Sequence, residues 1–316
     1  MIPVFFLDKI VFIDASMYDF EKQYSISMDV NVLNGFLKDE HDLEGWFFPA
    51  DMLSLFIFNE FHSKNNIKGH IVEIGVYKGK SFSFLSHFIK DTENLYGYDI
   101  FPEDLYKSTN LALENYGANV QYELIKADTS ELTNDDIKAK IDGKGIRILH
   151  IDAGHEYHEV LHSLLSFSPH VINNGIIVMD DCQDPEFPGI EAAVLDFCEI
   201  DRPRRFIPFF SGANKIYLCS TYMAKIYQES ILSNQNFRNS TRCTVVRDFV
   251  ILKGFSKLPT GYEKNKEKLD KFYESYDMGL ETSNQYLEEL KLKAKKYGTI
   301  ESVSYEFYSD SINQKR

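Results

Sequence analysis

The sequence predicts an α/β protein with a mostly parallel sheet, and two apolar segments near its centre carry this prediction. One segment, I-L-H-I, runs directly into Asp152, and the other, G-I-I-V-M, runs into Asp180 and Asp181. Short apolar runs of this kind are typical of strands buried in a parallel sheet. Open α/β sheets bind ligands at the carboxyl ends of their strands. The three aspartates and His155 are therefore expected to converge at one binding edge.

A third segment predicts a strand, a tight turn and a helix beside that edge. Residues 70–75 form an apolar run that ends at Gly75, and a short turn follows as far as Gly79. Residues 80–89 then carry apolar side chains at helical spacing. Glycines let the backbone approach a ligand closely, and the first turn of a helix has free N–H groups. This turn is a candidate binding loop.

The next strand signal, residues 95–100, contains an acid at Asp99, 24 residues after Gly75. An acid at this distance from a glycine turn suits hydrogen bonding to a ribose diol. The dinucleotide fingerprint G-x-G-x-x-G is absent, because the pattern from Glu73 to Gly79 is E-x-G-x-x-x-G. The missing glycine and the preceding glutamate both disfavour a pyrophosphate-binding loop.

The expected convergence of Asp152, His155, Asp180 and Asp181 predicts a divalent metal beside a general base. Three carboxylates at one point repel each other without a cation. Mg²⁺ prefers hard oxygen ligands, and a histidine with an ordinary pKa of about 6.5 accepts a proton near neutral pH. Two simpler interpretations stay open. An Asp-Asp pair at a strand end can be a solvated turn, and His155 can cap or support the helix that begins near Tyr157.

Three motifs in sequence order resemble those of class I S-adenosylmethionine (SAM)-dependent methyltransferases. They are V-E-I-G-V-Y-K-G-K-S at 72–81, Y-G-Y-D at 96–99 and K-A-D-T-S at 126–130. A narrower block, H-I-D-A-G-H-E-Y at 150–157 followed by N-G-I-I-V-M-D-D at 174–181, resembles the metal-dependent sugar O-methyltransferases of the macrocin/mycinamicin type and their broader relatives. The similarity covers residues 68 to about 220.

The resemblance implies cofactor-binding roles at matching positions. Asp99 would hold the ribose hydroxyls of SAM, and Asp128 would face the adenine amino group. Tyr77 departs from the pattern, since many class I enzymes have glycine there, and it is expected to shape the methionine pocket. The residues that the resemblance implies in cofactor binding are Glu73, Gly75, Tyr77, Gly79, Lys80, Ser81, Asp99, Asp128 and Asp152.

The resemblance also implies the chemistry at the acidic edge. Asp152, Asp180 and Asp181 match magnesium ligands, and His155 matches a general base, so His155 and Asp152 are the expected catalytic pair. SAM carries an activated methyl group, whereas a protonated hydroxyl is a poor nucleophile until a metal lowers its pKa. The implied activity is O-methylation of a sugar-containing or polyhydroxylated small molecule.

Three alternative functions stay open at this point. The first is a methyltransferase of the same fold that acts on a phenolic or catechol oxygen, where a metal would bind a vicinal diol. The second is a related hydroxylase-type enzyme that shares parts of the acidic block. The third is a non-catalytic binding protein on the same fold. The third is disfavoured by the intact acids and His155, because a scaffold would not need all four.

The resemblance implies a Rossmann-like sheet of seven strands, with the last strand antiparallel. This methyltransferase domain is expected at 67–220, between an N-terminal extension at 1–66 and an α-rich C-terminal extension at 221–316. Residues 206–219 predict its terminal hairpin, and Pro49 predicts the start of a helix that precedes it. Further strand signals lie at 4–7, 10–13 and 243–252, and helix signals lie at 262–276 and 282–297.

The aromatic residues Trp46, Phe47 and Phe48 are consecutive and precede the helix that begins at Pro49. Two interpretations are open for them. They can anchor the chain hydrophobically, or they can form a lid or platform for the acceptor.

Composition limits the class of partner. The 316 residues carry a net charge of −14, which disfavours nucleic acid because phosphate binding needs a basic face. Four cysteines without C-x-x-C spacing indicate reduced thiols and a cytoplasmic protein. Neither a signal peptide nor a membrane span fits the N-terminus. The long extensions favour a homo-oligomer, and a small molecule is the expected acceptor.

Overall fold

A computed structural model describes residues 2–6, 9–13, 28–37, 41–90, 92–141, 143–201, 203–233 and 242–254. The strands are β1 (Ile2–Phe6), β2 (Lys9–Ile13), β3 (His70–Ile74), β4 (Leu95–Asp99), β5 (Tyr122–Lys126), β6 (Ile146–Ile151), β7 (Val171–Met179), β8 (Phe206–Ser211), β9 (Ile216–Ser220), β10 (Arg242–Val246) and β11 (Phe249–Lys253). The α-helices are α1 (Val30–Leu37), α2 (Pro49–Lys64), α3 (Lys80–Ser86), α4 (Glu103–Tyr116), α5 (Asn134–Lys140), α6 (Tyr157–Phe167), α7 (Pro188–Ile200) and α8 (Ala224–Leu232).

The main sheet has the order β10-β11-β8-β9-β7-β6-β3-β4-β5. Strands β5, β4, β3, β6 and β7 pair in parallel. Strand β9 is antiparallel to both of its neighbours, β7 and β8. The prediction of a mostly parallel α/β sheet whose last strand is antiparallel is therefore confirmed for the segment from β3 to β9.

The segment predicted as the domain, 67–220, contains the expected seven strands, β3 to β9, but the described sheet has nine. The strand signal at 243–252 forms a hairpin, β10–β11, and β11 adds in parallel to the edge of β8. Arg247 and Asp248, which interrupt the apolar pattern, form the turn of this hairpin, with Arg247 at φ +55°. The described part of the C-terminal extension thus contains strands as well as α8, and the helix signals at 262–276 and 282–297 lie outside the described residues.

Both faces of the sheet are covered, which explains why its central strands are continuously apolar. Ile148 and Val178 point into one core with α2, α3 and α8, whereas Leu149 and Ile177 point into the other with α6 and α7. The predicted helix at Pro49 is confirmed as α2, whose first position suits proline. Its side chains are buried from Ala50 to His62, so α2 lies inside the protein.

Two further elements bear on the sequence predictions. The terminal hairpin is confirmed as β8 and β9, and the N-terminal strand signals form an antiparallel pair, β1 and β2.

Within the described ranges, no helix combines the length and the apolar character that crossing a bilayer would require.

Candidate active site

The carboxyl ends of β3, β4, β6 and β7 meet at a cavity of about 910 Å³. This volume is in the range of small-molecule sites, which is about 300–1,000 Å³. Two residues of the predicted site, Glu73 and Gly79, are not among those that line the cavity. The predicted residues that do line it are Gly75, Tyr77, Lys80, Ser81, Asp99, Asp128, Asp152, His155, Asp180 and Asp181.

The glycine turn is built by close backbone packing. Gly75 has φ +83°, and a Cβ atom there would lie 2.0 Å from the carbonyl oxygen of Asp152. No side chain fits this contact, which joins the end of β3 to the end of β6. Gly79 has φ +84° and precedes α3 as its N-cap. Tyr77 adopts φ +49°, a conformation that is uncommon outside glycine, asparagine and aspartate.

Asp99 holds the glycine turn in place. Its Oδ2 accepts hydrogen bonds from the backbone N–H groups of Val76 and Tyr77, each at 2.9 Å. Its Oδ1 accepts from the N–H of Phe101 at 2.9 Å. A carboxylate offers about four acceptor positions, and these hydrogen bonds use three of them. About one position therefore remains for a ligand in the cavity. The predicted ribose ligand thus also fixes the binding loop.

Asp128 lines the cavity after β5, the strand that pairs with β4 beside Asp99. Its Oδ1 accepts from the backbone N–H of Ser130 at 2.9 Å and from the Ser130 hydroxyl at 2.6 Å. These hydrogen bonds, led by that from the hydroxyl, lower the pKa of Asp128. The residue therefore presents an ionised carboxylate, which suits a contact with an amino group.

Glu73 and His150 form a buried pair beneath the cavity. They are cross-strand neighbours on β3 and β6, and Glu73 Oε1 lies 2.7 Å from His150 Nδ1. Both side chains are fully buried. Among the described residues, neither Glu73 Oε2 nor His150 Nε2 has a hydrogen-bond partner. The pair is buried behind the residues that line the cavity, and one polar atom of each side chain has no hydrogen-bond partner among the described residues.

The three predicted metal ligands line the same cavity, and Asp180 is the most deeply buried of them. Its Oδ1 accepts from the backbone N–H of Asp181 at 2.8 Å, and its Oδ2 contacts the ammonium of Lys215. Although burial opposes ionisation, Lys215 holds the pKa of Asp180 below its ordinary value. Burial, and then repulsion from Asp180, raise the pKa of Asp152 well above its ordinary value. A shared cation would relieve that repulsion.

His155 lies at the outer rim of these acids. Its Nε2 is 3.3 Å from Asp181 Oδ2, and its side chain is 42% exposed. The ring stacks on Phe187, with 4.2 Å between the ring centroids. Glu156 occupies the N-cap of α6 and forms a capping box with Glu159. The alternative that His155 caps this helix is therefore wrong.

The donor atoms of the site fall into two overlapping sets, within each of which they lie no more than 4.8 Å apart. One set is His150, Asp152 and Asp180, and the other is Asp152, His155 and Asp181. The predicted set of three aspartates spans both and shares Asp152. Aspartate oxygens and imidazole nitrogens suit several divalent cations, and the open Nε2 of His150 faces Asp180 at 3.9 Å. The residues present fit such an ion.

Sequence reasoning missed two charged residues at the site. Lys215 follows a turn and directly precedes β9, and Asp51 lies in the first turn of α2. Both are fully buried. Burial raises the pKa of Asp51 to about 7. A lysine after S-G-A-N and an acid at a helix start are normally solvated, so nothing in the local sequence indicated that they would contribute to the site.

The aromatic segment before α2 divides into an anchor and an exposed part. Phe47 is buried, and its ring packs edge-on against Phe84 with 5.4 Å between centroids. Trp46 is 77% exposed, lines the cavity and lies 6.2 Å from the ring of Tyr77. An ion pair between Glu44 and Lys78 ties this segment to the glycine turn.

Residues 72–182 match the family model described as a methyltransferase domain. The matched region begins in β3 and ends just after Asp181, so it contains the glycine turn, Asp99 and the acidic edge. This segment of the chain is therefore similar to a methyltransferase domain.

Three solved structures are similar to part of this chain. CalS11, a TDP-rhamnose 3′-O-methyltransferase of calicheamicin biosynthesis, is 16% identical over 54% of this chain and 78% of its own, with a TM-score of 0.43. The O-methyltransferase NovP is 16% identical over 60% and 97%, with a TM-score of 0.47. MycE of the mycinamycin pathway, in complex with Mg and SAH, is 17% identical over 59% and 54%, with a TM-score of 0.42.

No curated protein matches the sequence significantly. At their level of similarity, the three structures say nothing about what this chain binds or methylates.

Proposed function

We propose that this chain is a SAM-dependent O-methyltransferase that acts on a hydroxyl of a sugar-containing or polyhydroxylated small molecule. One observation carries the proposal. The cavity that holds the glycine turn of a methyltransferase domain also holds Asp152, Asp180 and Asp181 at the ends of adjacent strands. This arrangement supports the proposal, because one cavity would then serve both methyl transfer and binding of a cation that coordinates the acceptor hydroxyl.

The glycine turn and Asp99 would bind the cofactor. Gly75 lets the turn pack directly against the end of β6, and the start of α3 would provide N–H groups toward a carboxylate. Asp99 would accept a ribose hydroxyl, and Asp128 would accept from the adenine amino group. Tyr77, at 40% exposure, would cover the methionine end.

Asp152, Asp180 and Asp181 would hold Mg²⁺ or another divalent cation. When bound, SAM supplies an activated methyl group, and the cation lowers the pKa of an acceptor hydroxyl that coordinates it. The aspartates would fix where that hydroxyl lies. Holding the acceptor oxygen in line with a methyl group contributes part of the about 7–11 kcal/mol that orientation can supply.

His155 would remove the proton from the acceptor hydroxyl. Its imidazole is partly exposed to the cavity, and Phe187 and Asp181 restrict its orientation from two sides. A proton accepted on a ring nitrogen leaves through the open rim of the cavity to solvent. Asp181 would stabilise the imidazolium while the methyl group is transferred.

Calorimetric titration with S-adenosylhomocysteine (SAH), with and without Mg²⁺, tests the cofactor class. The wild type is expected to bind SAH, and Asp99→Ala is expected to lose the binding because it removes both the ribose contact and the support of the turn. Asp104→Ala, an exposed acid at the start of α4, is the matched control. Failure of the wild type to bind SAH would overturn the proposal.

Methyl transfer from labelled SAM to a panel of glycosides and polyols tests the acceptor class. Activity that requires a divalent cation and is lost on chelation supports the proposed oxygen acceptor. A product methylated on nitrogen or carbon, or oxidised without methyl transfer, would contradict it.

A phenolic or catechol acceptor is the second candidate, and one observation favours it. The stacked ring of Phe187 beside His155, together with exposed Trp46 and Phe48 at the same cavity, offers flat apolar walls to a planar ring. The same labelled assay with catechols decides between the two acceptor classes.

A further inference from the structure

Lys215 occupies the interior side of the acidic edge. Its backbone closes the turn between β8 and β9, where its carbonyl accepts from the N–H of Gly212 at 2.8 Å. Its side chain is fully buried, with Nζ against Asp180 Oδ2 and 5.5 Å from the ring centroid of Phe47. The ammonium of Lys215 therefore contacts the Asp180 oxygen that would coordinate a metal ion in the proposed centre.

Asp51 faces the same turn from α2. Its Oδ1 accepts from the N–H of Ala213, two residues before Lys215, at 3.2 Å. Its Oδ2 has no hydrogen-bond partner among the described residues, although the side chain is fully buried. Electrostatic interactions link the ammonium of Lys215 to Asp180 and then to Asp51. The buried Lys215 is thus paired with Asp180, and the nearby Asp51 has a carboxylate oxygen without a hydrogen-bond partner among the described residues.

An ammonium and a divalent cation repel each other strongly when they share one carboxylate in a buried site. A buried lysine without a partner is also unfavourable, because the lost hydration is not replaced. Metal binding at Asp180 therefore requires a second buried acceptor for the displaced ammonium. Asp51 meets this requirement by position and by its open oxygen.

We propose that Lys215 is an exchangeable counter-ion of the metal centre, which neutralises Asp180 in the metal-free protein and moves to Asp51 when a divalent cation binds. The inference depends on the proposed function only for the presence of a metal centre. It makes Lys215 and Asp51 positioning residues that set metal affinity, with effects of opposite sign.

Mn²⁺ titration followed by electron paramagnetic resonance tests the exchange without any acceptor. Lys215→Met removes the competing charge, and we expect it to tighten Mn²⁺ binding by about tenfold or more. Asp51→Asn removes the second acceptor for the displaced ammonium, and we expect it to weaken Mn²⁺ binding by about tenfold. Lys90→Met and Glu60→Gln remove one charge each outside the cavity and serve as matched controls.

The opposite signs separate this role from a general loss of structure, which would weaken binding in both variants. If Lys215→Met folds but is too unstable for the titration, its thermal unfolding midpoint is measured with and without Mn²⁺, and the metal-induced rise is expected to exceed that of the wild type. An unchanged or weakened affinity in Lys215→Met, or an unchanged affinity in Asp51→Asn, would overturn the exchange.

Failure of the inference is distinguishable from failure of the proposed function. A wild type that binds SAH and Mn²⁺, with variants that do not differ from it, rejects the exchange alone. A wild type that binds neither SAH nor Mn²⁺ rejects the proposed function, and the exchange with it.

Discussion

The Nε2 atom of His155 lies 3.3 Å from Oδ2 of Asp181. This contact joins the residue after β6 that is proposed to move a proton to the residue after β7 that is proposed to bind a metal. Asp181 is in turn held by the side-chain amide of Asn214, which donates to its Oδ1 at 2.8 Å. The proposed base and one proposed metal ligand are thus held next to each other at the ends of two adjacent strands.

Replacing His155 with alanine is expected to lower turnover by about 10²–10⁴-fold, the usual contribution of a general base. SAH affinity should stay the same, because His155 lies at the acceptor side of the cavity. Single-turnover methyl transfer with calorimetry as the second readout checks both. His158→Ala is the matched control, since His158 is exposed in the first turn of α6 and does not line the cavity. Equal rates in the two variants would exclude the proton-transfer role.

Replacing Gly75 with alanine is expected to lower the free energy of unfolding by about 3–5 kcal/mol, because a left-handed backbone strain and a steric clash combine. The added Cβ would meet the carbonyl oxygen of Asp152 at 2.0 Å. Gly143→Ala is the matched control, since Gly143 has φ +80° but no atom within 4 Å of the added Cβ.

The control should lose only about 1–2 kcal/mol, the strain alone. Chemical denaturation of both variants measures the difference. Similar losses at the two glycines would show that the contact between the ends of β3 and β6 is not tight.

Trp46 is the single tryptophan of the chain, and it is expected to report ligand binding by fluorescence. Its indole is 77% exposed at the cavity beside Tyr77, so a ligand that covers it should shift its emission to shorter wavelength. The measurement is emission against SAH concentration, with Trp46→Phe as the blank. No spectral change at SAH concentrations that saturate the calorimetric signal would place Trp46 away from the cofactor.

Local sequence predicted the parts of the site that follow apolar strands. Asp152, Asp180 and Asp181 lie directly after β6 and β7, as expected, because an apolar run that stops at an acid marks both a strand and its end. Gly75 and Asp99 were found for the same reason, and the structure adds that Asp99 fixes the turn as well as facing the cavity. Periodicity and strand order were sufficient for these residues.

Residues whose role depends on distant packing were not predictable. Asp51 comes near Lys215 because α2 contacts the turn before β9 through the hydrogen bond from Ala213, although 164 positions separate the two residues in the sequence. Arg147 likewise lies fully buried within the apolar β6, where its guanidinium pairs with Glu93 at 2.9 Å. The two extra strands were missed because the turn of their hairpin looks like a break in one strand.

The pH dependence of stability is the last prediction, and it concerns Asp51 in the metal-free protein. Burial raises the pKa of Asp51 from 3.8 to about 7, so between these values the folded state binds a proton that the unfolded state releases. The stability that this group contributes is therefore complete below pH 3.8 and is lost as the pH rises through about 7.

Chemical denaturation in EDTA at pH 5 and pH 8 measures this loss. The wild type is expected to lose about 2–3 kcal/mol more than Asp51→Asn between the two values. Asp104→Asn, which changes an exposed carboxylate, should follow the wild type. A pH profile of Asp51→Asn that coincides with that of the wild type would mean that Asp51 is ionised in the folded, metal-free protein, with Lys215 already at its side.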